Sequence, residues 1–196
     1  MERDKSPAMD GARSCGPCSL CCTALRVDEL RKLGGVACLH QRPAGGCGVY
    51  ERRPAICRAY RCLWLRGGLR DDDRPDRLGA VLDVVGAGGN AWLEIREAEP
   101  GAFARSPRLR EIAAEHRRSM PVRISDSADV LDPERRFRVL LPGVEEHSVA
   151  GEWTTLVRPG EPERRIRLPR LERWGRRLRL ALQRRRVAGY RGAPAR

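Results

Sequence analysis

Cys15-Gly16-Pro17-Cys18-Ser19-Leu20-Cys21-Cys22 places four thiols in one short stretch, and Cys38, Cys47, Cys57 and Cys62 follow; no cysteine lies elsewhere in the chain. A two-residue spacing lets a turn aim successive thiolates at one point, and thiolates suit zinc and iron–sulfur clusters. Three cysteines at this spacing also occur in ferredoxin-type cluster binding. Eight thiols could instead pair as disulfides. Met1-Glu2-Arg3-Asp4-Lys5, however, leads into no apolar run of the kind a secretory signal needs, and cytosolic thiols are kept reduced. The expectation is a cytoplasmic protein whose cysteines ligate metal.

Further along, Gly46-Cys47-Gly48-Val49-Tyr50 runs into Arg53-Pro54-Ala55-Ile56-Cys57-Arg58. Together with the Cys15–Cys22 motif, this pattern resembles the CxxCxxCC family, the YkgJ-like cysteine-cluster proteins described as zinc- or iron-chelating domains. The likeness covers roughly residues 15–65, and Cys38 and Cys62 also fall where relatives often carry cysteines. It implies metal chelation without an assigned activity.

Four thiolates around Zn²⁺ or a [4Fe–4S]²⁺ core carry a net charge of about −2, which Arg53 and Arg58 would offset while donating to sulfur. Tyr50 and Trp64 would shield such a site. If residues 54–65 form one helix, with Ile56, Tyr60, Leu63 and Trp64 on one face, Cys57 and Cys62 stand about 140° apart around it and do not share one ion. Adjacent Cys21 and Cys22 also diverge. One plausible ligand set is Cys15, Cys18, one of Cys21 or Cys22, and Cys57; the other cysteines complete a second site or pack. His40 could replace a thiolate, although a lone loop histidine is more often solvated. Zinc and iron both remain open: the compact CxxCxxC run favours [4Fe–4S], whereas zinc more often uses two separated CxxC pairs.

The rest of the 196 residues frames this cluster. Val, Ile, Leu and Phe make up 41 residues, about a fifth of the chain, just above the level at which highly charged chains fail to fold. A modest core is expected, with metal ligation holding the N-terminal region together. No apolar run approaches the length of a transmembrane helix. The net charge is +13, and 37 of the 39 basic residues are arginine. Most of that charge sits in residues 158–196, where arginines interleave with Leu171, Trp174, Leu178, Ala181 and Leu182 at helical spacing.

The reading is therefore an α+β protein in three parts. Residues 15–65 form a small cysteine-rich, metal-organised region with short helices, one over Glu29–Leu33 behind Asp28 and ended by Gly34-Gly35. Residues 78–157 form a small α+β region. In it Leu78–Val85 and Ala91–Glu97 make a hairpin, Arg108–Arg118 a helix behind Ser106-Pro107, and Val122–Ile124, Phe137–Leu141 and Trp153–Val157 short strands. Residues 158–196 form a basic helix and tail, whose apolar stripe is expected to dock on the α+β region.

Gly86-Ala87-Gly88-Gly89-Asn90-Ala91 matches the dinucleotide fingerprint, but a strand follows where a helix is required. His116 and His147, the latter beside Glu145-Glu146, read as surface groups. Nothing signals an enzyme. The expected function is a metal-binding protein holding zinc or an iron–sulfur cluster. The alternative is a nucleic-acid-binding module that contacts nucleic acid, or a protein partner, through residues 165–186, with the metal purely structural.

Overall fold

The computed structural model describes residues 13–126, 136–142 and 146–192. The hairpin forms as expected except at its start, where Leu78 ends a short helix, α3 (Pro75–Leu78), instead of opening the strand: β1 (Ala80–Val85) pairs antiparallel with β2 (Trp92–Glu97), and the glycine-rich segment between them closes the turn. Gly86 has φ +89°, and a side chain there would meet Asn90 O at 2.5 Å. The turn thus needs glycine for its shape rather than for phosphate binding. From β2 the chain crosses over through α4 (Ala102–Arg105) and α5 (Pro107–Arg117) into β3 (Val122–Asp126), which lies parallel to β2. Ser106 caps α5, accepting from Leu109 N–H at 3.2 Å, and Pro107 occupies the first turn where its missing N–H costs nothing.

Four antiparallel strands follow: β4 (Arg136–Leu140), β5 (Glu146–Ala150), β6 (Trp153–Val157) and β7 (Arg164–Arg167). They complete one seven-stranded sheet in sequential order, so the protein is a mixed α+β fold. Two strands depart from the sequence reading. Glu146 and His147 lie in β5 rather than in a loop, and β7 brings the start of the basic tail into the sheet. Neither segment is apolar, and their membership comes from backbone pairing with β4 and β6. All four residues of β7 are exposed, and its arginines guard a bare sheet edge against pairing with other chains.

One face of the sheet is buried by α4 and α5 around Leu82, Leu93, Ile95, Leu109, Ile112 and Val122. β1 is covered on both sides. Leu82 faces this core, and Val81 packs on the other face against Ala24, Cys62 and Trp64 of the cysteine region. The C-terminal helix α6 (Arg170–Arg186) does not dock as expected. Leu171, Trp174, Leu178 and Leu182 remain 84%, 66%, 45% and 55% exposed, and no residue of α6 is buried. The segment after it returns to the N-terminal region instead. Val187 packs with Leu33, Leu33 N–H donates to Arg191 O at 3.1 Å and Arg191 N–H donates to Arg31 O at 2.8 Å.

At the other end of the cysteine region, Asp73 sits under α5 with its side chain 4% exposed. It accepts a two-pronged contact from Arg108 (2.8 and 2.7 Å) and a bond from Arg70 N–H at 3.1 Å. The Arg108 hydrogen bonds hold its carboxyl below the ordinary value of 3.8. A lowered folded value means that the stabilisation is complete above the ordinary value and is lost as pH falls through the folded one. Asp73→Asn is expected to lower stability at pH 7 by about 2 kcal/mol, below the range for leaving a buried charge alone, because Arg108 keeps some water contact and its ion pair with Glu111 at 2.7 Å. The gap between variant and parent should shrink as pH falls below the ordinary value of 3.8 and through the lower folded value. Urea unfolding at pH 7 and at low pH measures it, and an undiminished gap at low pH would contradict the pairing.

Candidate metal centre

The first motif begins as a turn. Gly16 has φ +52°, and Cys18 N–H donates to Cys15 O at 2.9 Å, so the two thiols are carried by one tight loop. Cys21 and Cys22 lie in α1 (Leu20–Ala24). Cys38 and Cys47 flank a loop closed by the Gln41–Cys47 bridge, and Gln41 Nε2 donates to Ser19 Oγ at 3.0 Å. Gly45 and Gly46 then press directly against the Cys15–Cys18 turn. A side chain at Gly45 would meet Pro17 O at 2.3 Å, and one at Gly46 would meet Gly16 O at 2.7 Å. Only glycines allow that approach, and it is what delivers Cys47 to the first motif.

Cys57 lies in α2 (Ala55–Ala59), whose first N–H groups, on Ala55 and Ile56, donate to the Glu29 carboxylate at 3.0 and 2.8 Å. The expected 54–65 helix stops here: Tyr60 is extended, and Leu63 N–H donates to Leu82 O at 2.8 Å. That bond draws Cys62 and Trp64 onto β1, where both are buried. The argument that separated Cys57 and Cys62 around one helix therefore does not apply. The expected Glu29–Leu33 helix is likewise a single 3₁₀ turn, Asp28–Leu30, ended by Arg31 at φ +45°. The Val27–Lys32 bridge closes it before a helix can propagate.

These elements bring all eight cysteines, with His40, around one cavity of about 320 Å³. All eight are free thiols. Among the described residues, no three histidine, cysteine, aspartate or glutamate side chains stand close enough to hold a metal ion as they are posed. Burial raises the Cys15, Cys18, Cys57 and Cys62 thiols above their ordinary value. The adjacent Cys21 and Cys22 side chains influence each other, so that the Cys21 thiol is raised and the Cys22 thiol lowered.

Arg53 lines the cavity, stacked on Tyr50 at 3.6 Å, and its charge favours the thiolates of Cys15 and Cys22. Arg58 does not reach the cavity; it is exposed and donates to Arg53 O at 2.8 Å. Sequence reasoning passed over the third cation. Lys32 is 1% exposed, and its Nζ donates to Thr23 O, Leu33 O and Val36 O at 3.1, 2.8 and 2.7 Å. Its charge favours the Cys22 thiolate. The available signal was compositional, since one of only two lysines in an arginine-rich chain lies inside the cysteine region. Comparison with protein-family models, with curated proteins and with solved structures returned no match.

Proposed function

We propose that the protein binds metal, as zinc or an iron–sulfur cluster, in the cysteine-lined cavity, and that this metal organises its N-terminal region. One observation carries the reading. Cysteines from four separate segments, spread over residues 15–62, surround a single cavity. Two buried and six half-buried thiols on a marginal core have no packing reason to converge so completely, whereas soft-metal ligation requires it. The donor set fits: thiols in excess of four, one imidazole, and the nearby charges of Arg53 and Lys32 to balance thiolates. Ligation requires the thiols to turn into the cavity they already line, which staggered side-chain rotations allow. The resemblance of Cys15–Cys22 and Gly46–Arg58 to the YkgJ-like zinc- or iron-chelating family points the same way.

The compact CxxCxxC run favours [4Fe–4S] over zinc. Bound there, an iron–sulfur cluster would supply one-electron chemistry and zinc a crosslink. In either case this chain's own contribution is to shield the centre with Tyr60, Trp64 and Val81 and to balance its charge with Arg53 and Lys32.

Protein purified without oxygen is expected to carry stoichiometric metal and, for the cluster, broad visible absorption from sulfur-to-iron charge transfer. Cys15→Ala with Cys18→Ala should remove both signals. A metal-free parent protein, or full occupancy in the double variant, would overturn the assignment. A colourless preparation with stoichiometric zinc would decide for zinc.

A further inference from the structure

Arg173 and Arg176 of α6 reach the sheet at Glu152 and Gly151 O, while Leu171, Trp174, Leu178 and Leu182 face solvent. Between α6 and the face carrying Trp92, Arg123, Phe137 and Val139 runs a groove of about 1350 Å³. We propose that this groove binds single-stranded nucleic acid, independently of the metal site.

Charge is the first argument. Six arginines line the groove (Arg123, Arg165, Arg173, Arg176, Arg177 and Arg179) against one carboxylate, Glu152. Glu152 is itself held by Arg167, Arg173 and Arg177 at 2.9, 3.1 and 2.8 Å, which pulls its pKa down to about 2. The lining therefore carries a large positive excess within one concave surface, which concentrates polyanions.

Unmet hydrogen bonding is the second. The Nε atoms of Arg123 and Arg173 are buried without a hydrogen-bond partner. Arg123 Nε lies 3.8 Å from Glu94 Oε2 and the Arg173 head also binds Glu152, so a side-chain shift that turned either donor into the groove would let it meet a phosphate oxygen there.

Ring chemistry is the third. Trp92, Phe137 and Trp153 line the same groove. The Trp92 ring is fixed by its Nε1–H donating to Glu94 at 3.0 Å. The Arg123 guanidinium lies 4.3 Å from the Phe137 ring centre, and that of Arg165 lies 4.5 Å from Trp153. Rings and stacked guanidinium planes are what unpaired bases stack upon.

Shape selects among anions. The groove exceeds the ~300–1,000 Å³ of small-ligand pockets, so a polymer suits it better than a nucleotide. Bases locked in a duplex could not reach rings that lie on a sheet face beneath a helix. An anionic lipid surface would engage the opposite, outward side of α6 at Leu171, Trp174, Leu178 and Leu182. That reading makes no use of the arginines and rings that line the groove together.

The test is fluorescence anisotropy of the full chain with labelled dodecamers of uridine and of deoxythymidine, a duplex of the same length, and vesicles containing phosphatidylglycerol. One or both single strands should bind more tightly than the duplex, and the two sugars identify which nucleic acid is preferred. With about five phosphates neutralised, affinity should fall about a hundredfold between about 50 and 200 mM salt. Arg176→Glu with Arg179→Glu should weaken binding by at least about tenfold, and Phe137→Leu by at least about fivefold. Arg179→Gln alone, at an exposed site, should weaken it measurably with an unchanged urea midpoint, which separates contact from folding. Leu178→Asp on the outward face should leave it unchanged. The proposal is overturned by absence of single-strand binding at low salt, by duplex binding that ignores Phe137→Leu, or by binding to vesicles alone that Leu178→Asp abolishes.

Discussion

Lys32→Met is expected to lower stability by about 3 kcal/mol in urea unfolding, although methionine matches the length and apolar stem of lysine. The ammonium joins three carbonyls that no secondary structure pairs: Thr23 O at the end of α1, and Leu33 O and Val36 O in the loop before Cys38. Thr23 O keeps a second donor, Gly35 N–H at 3.0 Å, so methionine orphans the other two. The orphaned Leu33 carbonyl is buried and costs about 1–3 kcal/mol, the part-buried Val36 carbonyl costs less, and relief of the buried charge offsets part of the sum. Burial lowers the pKa of Lys32, while the nearby thiols of Cys38 and Cys22 oppose that shift. A loss under about 0.5 kcal/mol, the scale of an ordinary surface substitution, would show that the carbonyls find water instead. Lys32→Arg should not rescue, because its larger planar head does not fit a fully enclosed site.

The sheet was legible wherever burial wrote it. Leu82, Leu93, Ile95 and Val122 lie in strands read from apolar content, and Leu109 and Ile112 recur at helical spacing on α5, so the hairpin, α5 and β3 followed directly. Glu146–Ala150 and Arg164–Arg167 carry no such pattern; edge-ward antiparallel strands are held by backbone pairing, which has no side-chain signature. The tail misled for a related reason. Periodicity at Leu171, Trp174, Leu178 and Leu182 established an amphipathic helix but not which side its partner lies on.

For the cysteines, spacing revealed the convergence but not its scaffold. The close approach of Gly45-Gly46 to the Cys15–Cys18 turn, the grip of the Glu29 carboxylate on α2 and the clamp of Arg191 on Arg31 and Leu33 are all contacts between segments distant in sequence. The last of these joins the segment after α6 to the cysteine region, so the basic tail is also part of the wall that supports it. None of this is periodic, which is why local pattern extended residues 54–65 into a helix that the sheet interrupts at Leu63.

Chelating the metal should dissolve this region and leave the sheet standing, the largest effect that the proposed function entails. Residues 13–65 contain two five-residue helices, 3₁₀ turns and isolated bridges. Helices under about 12–15 residues are marginal alone, and below about 70–80 residues a single apolar core supplies little stability without disulfides, metal or similar staples. Their buried apolar groups are few, among them Ala24, Val27, Leu33 and Trp64, whereas α5 and β1 to β4 share a continuous core of their own. Structural zinc in small peptides supplies about 10–16 kcal/mol, more than a region of this size recovers by packing. Hydrogen exchange before and after chelation measures the division. Amides of 13–65, and Arg191 with its bond to Arg31, should lose protection, while those of β1 to β3 and α5 keep it. Unchanged protection in 13–65 after complete metal loss would mean that the cysteines bind metal without organising the fold. Loss throughout the sheet would mean that β1, buried on both faces at Val81 and Leu82, transmits the collapse into the core.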